Sequence, residues 1–300
     1  MTIEPEFLII GAARAGTTSL HSFLRQHPGV FLPRGKEPNY FAYAGRQLDC
    51  RGPGADFINN SCTDASAYAA LFSAAPAGAL RGEASPLYLF ESAAPVNIRQ
   101  MAPRTKLIAI LRNPVDQAWS HFLYATKLRV ETEPDFVKAL SIEEERLAQG
   151  WQPLFGYSSF PRYGEQLARY LDLFPRDQIL IRTYEDLQTR PAELLRDIFG
   201  FIGADADFPV DTSQVLNPGG IPKNARFQDF LMKPNPITGA IGYIIPRETR
   251  WKIRDWLAGF NMTLGNKMPE QARRILLERL SDDIRLTERL TALDLSHWLK

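Results

Sequence analysis

The stretch FLIIGAARAGTTSLHSFLRQHPG, residues 7–29, decides the fold. Phe7, Leu8, Ile9 and Ile10 form a continuous apolar run ending at Gly11, the pattern of a strand buried on both faces of a parallel sheet. From Gly16 to His27 the spacing becomes helical, with Leu20, Phe23 and Leu24 on one side, and Pro28-Gly29 stops it. The chain therefore opens as strand, glycine-bearing loop, helix. At the junction lies Gly11-Ala-Ala-Arg-Ala-Gly16-Thr17-Thr18. There, backbone N–H groups and the positive end of a helix dipole face an anion, and small residues let its oxygens approach. The pattern G-x-x-x-x-G-K-[ST] of nucleotide triphosphatases fits at both glycines, but Thr17 stands where the lysine belongs. The charge that reaches the terminal phosphates of ATP is thus missing, and the loop's cation is Arg14 instead.

A second unit of the same kind follows. Lys106-Leu-Ile-Ala-Ile-Leu111 reads as a buried strand, and Arg112-Asn113-Pro114 leads into a helix through Trp119, Phe122 and Leu123. Asn113 at the N-cap and Pro114 at the first helical position are start signals. A third strand, residues 178–182, follows the amphipathic stretch Tyr163 to Phe174, and the last third is helical, with Leu276, Leu280 and Ile284 spaced by four. Strands alternating with helices indicate an α/β fold with a central parallel sheet covered on both faces. Asn217 to Pro222 is the best candidate for a boundary but reads as a loop, so one domain over residues 1–300 is expected.

Composition narrows the class. Three hundred residues can bury a substantial core. Thirty-five lysines and arginines against 34 acidic residues leave a formal charge of +1, too balanced for a protein devoted to nucleic acid, so any anion site must be local. Two cysteines, Cys50 and Cys62, are too few for a disulfide framework and lack the partners of a zinc site, and free thiols in a reducing compartment are expected. The N-terminus has no basic region before an apolar stretch, and the least polar segment, Pro236 to Pro246, is too short to cross a bilayer. A cytoplasmic protein without a transmembrane segment is expected.

Several of these motifs together resemble the sulfotransferases that use 3′-phosphoadenosine-5′-phosphosulfate (PAPS), in particular the heparan-sulfate type and its bacterial relatives. In that family a lysine precedes G-T-T-S in a loop that binds the 5′-phosphosulfate. The matching residues here are Arg14, Ala15, Gly16, Thr17, Thr18 and Ser19, with Arg14 in the lysine's place. Arginine keeps the charge but is a poorer proton donor. An arginine and a serine spaced like Arg112 and Ser120 bind the 3′-phosphate in the family, and Asn217 to Arg226 resembles a late basic loop in which Lys223 and Arg226 are further candidates for that phosphate.

Lys36-Glu-Pro-Asn-Tyr-Phe41 is similar to the family's K-E-x-H-F-F segment, which makes Glu37 the implied general base and Lys36 a partner in catalysis. Asn39 replaces the histidine, and His21 and His27 read as structural. Arg81 to Tyr88 resembles a segment that often reads E-K-[ST]-P, with Glu83 and Ser85 matching and Ala84 replacing the lysine, which argues against a highly sulfated acceptor. The resemblance places Asn39, Tyr40, Phe41, Glu83 and Ser85 on the acceptor side. It extends in outline through Tyr184-Glu-Asp-Leu187 and Asp294 to Trp298. It implies in-line transfer of a sulfuryl group from PAPS to a hydroxyl or amine, with Glu37 as base, Arg14 and Lys36 stabilising charge, and no metal. A carbohydrate, lipid-linked sugar, polyketide or small phenol could accept, and residues 42–80 would shape that choice. The alternatives are a nucleotide kinase or triphosphatase of the same architecture, and a PAPS- or PAP-binding protein without catalysis.

Overall fold

The computed structural model describes residues 4–213, 221–224, 227, 230, 231, 253, 257, 261–263 and 267–300. Five parallel strands form one sheet: β1 (Phe7–Gly11), β2 (Val30–Phe31), β3 (Leu80–Ala84), β4 (Lys106–Leu111) and β5 (Ile179–Thr183), in the order β2-β3-β1-β4-β5. This is the α/β architecture that the alternating pattern indicates. Every residue of β1 is buried, as are Leu107 to Leu111 of β4, which explains why these two read so clearly as apolar runs. Each fully buried Leu, Ile or Phe contributes roughly 1.5–3 kcal/mol over its exposed state.

β3 is less legible, because Leu80-Arg-Gly-Glu-Ala84 carries a charge at its second and fourth positions. It pairs with β1 at Gly82 opposite Phe7, and a Cβ on Gly82 would stand 2.3 Å from the Phe7 ring. The glycine leaves room for the far edge of that ring against the strand, where any side chain would collide with it. Arg81 reaches across to Glu6, with Nη2 2.7 Å from Oε1, and ties the start of β3 to the start of β1.

The helix Thr17–Leu24 packs on β3, Leu87–Phe90 on β1, and Pro191–Ile202 on β4 and β5. The helix Pro114–Lys127 starts as read from the sequence: the Asn113 side chain accepts from the Val115 N–H at 3.0 Å, and Pro114 occupies the first turn. The helix Glu270–Thr291 buries Ala272, Leu276, Leu280 and Ile284 and lies against Tyr163–Leu171. There the buried Asp283 carboxylate accepts from the Gly164 and Glu165 N–H groups at 2.9 and 3.0 Å, satisfying donors that the first turn cannot pair internally. Cys50 and Cys62 are free and half-buried. Among the described residues no helix is long and apolar enough to cross a membrane.

Candidate active site

The candidate site sits at the carboxyl ends of β1, β3 and β4, where an open parallel sheet offers a crevice. After β1 the chain runs through residues 12–16. The Ala12 N–H donates to Ile110 O at 2.8 Å, and Gln117 Nε2 donates to Ala13 O at 3.1 Å, so the loop is tied to β4 and its helix. Gly16 stands at the helix N-cap with φ of 81°, and a Cβ there would come within 2.4 Å of Leu187 Cδ2. Glycine is required on both counts. Having no side chain, it cannot cap the helix, and the N–H groups of Thr17, Thr18 and Ser19 in the first turn have no intrahelical acceptor. They remain for an anion.

Three cations converge on this helix start. Arg14, half-buried and at φ 64°, donates from Nε to Ser120 Oγ at 3.3 Å and lies 4.4 Å over the Tyr124 ring. Arg112 donates to Arg14 O at 3.0 Å and lies 5.0 Å over Tyr184. Lys36 Nζ donates to Thr18 Oγ1 at 2.9 Å and stands 3.4 Å from Glu37 Oε1. Burial pulls the Arg14 guanidinium below its ordinary value, and the Arg112 charge pulls the same way. Lys36 is also drawn down, chiefly by burial, with Glu37 opposing and Arg14 adding to the fall. Packing like charges together raises their free energy, and a bound polyanion relieves it.

Glu37 follows Lys36 at φ 63°; its N–H donates to Ala84 O at 2.9 Å, at the end of β3, and its side chain is 55% exposed. Asn39 is also left-handed, at φ 55°. Left-handed non-glycine residues cost of order 1–3 kcal/mol each and persist only where their surroundings hold them. Arg14, Glu37 and Asn39 bring three of them to one place.

The five residues placed on the acceptor side are all interior. Asn39, Tyr40, Phe41, Glu83 and Ser85 are 0–6% exposed, packed beneath Glu37. Asn39, where the family often has histidine, turns its Nδ2 to Ser61 Oγ at 3.0 Å. Ser85 Oγ donates to Glu83 Oε2 at 2.8 Å. Burial pushes the Glu83 carboxyl up to about 7, against hydrogen bonds from Tyr88, Ser85 and Tyr68 that favour its ionised form. Lys223 is exposed, next to the pair Ile221–Pro222 and Met262–Thr263, and Ile221–Pro222 lies against the helix that carries Ser120. Arg226 lies outside the described residues.

Sequence reading did not single out Tyr124, Tyr184, Gln117, Tyr68 or Tyr88 in the site itself. Two had a signal: Tyr124 is four residues beyond Ser120 on one helix face, and Tyr184 directly follows β5. His21 bonds Pro33 O at 3.0 Å, and His27 accepts from the Gly29 N–H, as structural residues do. His121, behind Arg14, is held neutral, pushed down to about 3 by burial and by the Arg14 charge. A cavity of about 430 Å³ that includes none of these residues is lined by Tyr43, Arg46, Asp49, Arg51, Glu91 and Trp151 among others. Among the described residues no group of three or more His, Cys, Asp or Glu side chains could hold a metal ion.

Residues 4–237 match the family model for the sulfotransferase domain. Heparan sulfate glucosamine 3-O-sulfotransferase 6 of Mus musculus is 30% identical over 204 residues, covering 66% of this chain and 52% of that protein. Bifunctional heparan sulfate N-deacetylase/N-sulfotransferase 2 of Homo sapiens is 27% identical over 220 residues, 66% of this chain and 22% of that protein. The chain thus spans about half or less of the length of these curated relatives. The crystal structure of a sulfotransferase from Alicyclobacillus acidocaldarius shares the fold end to end, with a TM-score of 0.77 at 29% identity over 99% of this chain and 100% of that one. With the family model matched over most of its length, the chain belongs to the sulfotransferase domain family.

Proposed function

We propose that this chain, as one domain over residues 1–300, transfers a sulfuryl group from PAPS to a hydroxyl or amine of a carbohydrate or other small acceptor, without a metal. The observation that carries the reading is the convergence of Arg14, Arg112 and Lys36 on an uncapped helix start. The N–H groups of Gly16 to Ser19, with Arg14 and Lys36, would hold the 5′-phosphosulfate. Arg112, Ser120 and Lys223, with Arg226 as a further candidate, would hold the 3′-phosphate. PAPS supplies the sulfuryl group and leaves as PAP.

The roles of the chain's own residues follow from their chemistry. Glu37 Oε1 or Oε2 takes the proton of the acceptor, and its exposure leaves it open to that partner. Arg14 and the first-turn N–H groups stabilise charge that develops on the departing phosphate. Lys36 touches both Thr18 and Glu37, so its ammonium links the phosphate loop to the base. Burial weakens its hold on its proton, which suits it better than Arg14 to pass one to the leaving oxygen. The relatives named for heparan sulfate favour a sugar acceptor. The free thiols of Cys50 and Cys62 support a reducing, cytoplasmic setting.

The test is a thermal melt with PAP and PAPS beside one with MgATP. PAP and PAPS should raise the melting temperature, and Arg112→Ala should remove most of the rise, because a ligand bound only to the folded state stabilises it by mass action. Equal stabilisation by MgATP, indifferent to Arg112→Ala, would overturn the donor assignment.

A further inference from the structure

The segment that carries Glu37 is held by alternate backbone N–H groups. Glu37 N–H donates to Ala84 O at 2.9 Å, Asn39 N–H to Ser85 Oγ at 3.1 Å, and Phe41 N–H to the Tyr88 hydroxyl at 3.3 Å. The second and third acceptors are hydroxyls, each with one proton that can point in several directions. The Ser85 proton goes to a carboxylate that also adjoins the Tyr88 hydroxyl. Ser85 Oγ donates to Glu83 Oε2 at 2.8 Å, and the buried Tyr88 hydroxyl stands close to both Glu83 and Ser85. Tyr68 donates to Oε1 at 3.5 Å from the opposite wall. With its proton committed to the carboxylate, the Ser85 hydroxyl has only lone pairs to turn toward the 37–41 segment, and the negative carboxylate draws the neighbouring Tyr88 proton the same way. Two of the residues so held, Glu37 and Asn39, have left-handed backbones that need external support.

We propose that Glu83 is a positioning residue: by orienting the Ser85 and Tyr88 hydroxyls, its carboxylate holds the strained segment 37–41 against the end of β3, and with it Lys36 and Glu37 at the phosphate loop. The proposal deepens the sulfuryl-transfer reading, but the hold itself exists without donor or acceptor. An amide in place of the carboxylate cannot serve. Glutamine offers one accepting oxygen where two are used, and its NH₂ would face a hydroxyl that is already donating. The groups that face Glu83 are Lys36 and Glu37 from the preceding segment, Cys62, Tyr68 from the helix Ala65–Ala70, and Ser85 and Tyr88 from its own side. Protonation of Glu83 should therefore loosen the hold. Its carboxyl is raised to about 7, so the ionised, holding form prevails above that pH and is lost below it.

Amide hydrogen exchange of the full-length chain, resolved by NMR and expressed as protection factors, tests this without any ligand. In Glu83→Gln the protection of the Asn39 and Phe41 amides should fall roughly tenfold or more, the worth of a hydrogen bond tied to a charged group, while amides of β1 and β4 keep theirs. In the unsubstituted chain those two amides should lose protection as pH is lowered through 7, and in Glu83→Gln that step should be absent. Should Glu83→Gln fail to fold, Ser85→Ala should release Asn39 alone and Tyr88→Phe should release Phe41 alone. Unchanged protection at both amides, or a loss spread evenly over the whole sheet, would overturn the proposal. PAP affinity of the unsubstituted chain, measured in parallel, separates the two readings: loosened amides in Glu83→Gln with PAP bound by the unsubstituted chain support both, and loosened amides with no PAP binding by the unsubstituted chain would refute only the donor assignment.

Discussion

Arg14→Ala separates a residue kept for a ligand from one kept for the fold. In the free protein this side chain gains a hydrogen bond to Ser120 and a contact with the Tyr124 ring. These are worth about 0.5–1.5 and 0.5–1 kcal/mol respectively. Against them stand burial of a guanidinium and proximity to Arg112 and Lys36, both of which raise its free energy. The terms are of opposite sign and offset one another. Denaturant melts of the unliganded Arg14→Ala protein should therefore lie within about 1 kcal/mol of the unsubstituted chain, far from the 2–5 kcal/mol of a core truncation. With the donor bound, the balance changes. The cation then makes a charge-assisted contact worth about 1.5–3 kcal/mol, which corresponds to a roughly 10- to 150-fold weaker Kd for PAP on its removal. Titration calorimetry with PAP would measure it. Loss of more than about 2 kcal/mol of stability with unchanged PAP affinity would make Arg14 a structural residue and remove the strongest support for the phosphate loop.

Other expected outcomes bear on the base, the loop cation and the acid limb of stability. Glu37→Gln keeps shape but cannot accept a proton at neutral pH, so turnover of an identified acceptor should drop roughly 10²–10⁴-fold with PAP affinity near normal; an unchanged rate would exclude Glu37 as base. Arg14→Lys restores the residue common in the family and should retain most activity in the same assay, whereas a loss as deep as that of Arg14→Ala would show that the loop needs the guanidinium's geometry. His121 is held neutral with its proton affinity lowered to about 3, so the unfolded chain binds a proton that the folded one refuses between the ordinary value of 6.5 and that point. Stability is therefore lost as pH falls below 6.5, and His121→Gln should make urea-melt stability less steep between pH 6.5 and 4.5 by up to about 1.4 kcal/mol per pH unit. An identical slope in the variant would mean that the imidazole is protonated in the fold.

What was legible in the sequence depended on whether the physics is local. β1 and β4 are buried on both faces, so their residues had to be apolar and stood out as runs. The glycines and small residues of 11–16 and the Asn113-Pro114 start are demands of backbone geometry, met within a few residues of one another. From these alone came the α/β class, the anion loop with Arg14 as its cation and the absence of a kinase lysine, whereas the candidate roles of Arg112 and Glu37 came from the resemblance to the sulfotransferases. Tertiary structure decided what depends on neighbours far along the chain. β3 carries Arg81 and Glu83 yet is a strand, because Gly82 admits Phe7 and Glu6 pairs Arg81 from across the sheet. The resemblance put Asn39, Tyr40, Phe41, Glu83 and Ser85 on the acceptor side, and only packing shows that they are interior. Helix Ala65–Ala70, drawn from a stretch without a motif, brings Tyr68 over them and closes the wall. The meeting of Lys36 with Thr18, and of Arg14 with Ser120 across 106 residues, was likewise invisible in one dimension. Charge and polarity can be read from a residue's type, but burial and hydrogen-bond partners belong to the packed chain, and they leave one carboxylate, Glu37, exposed and the other, Glu83, buried among hydroxyls.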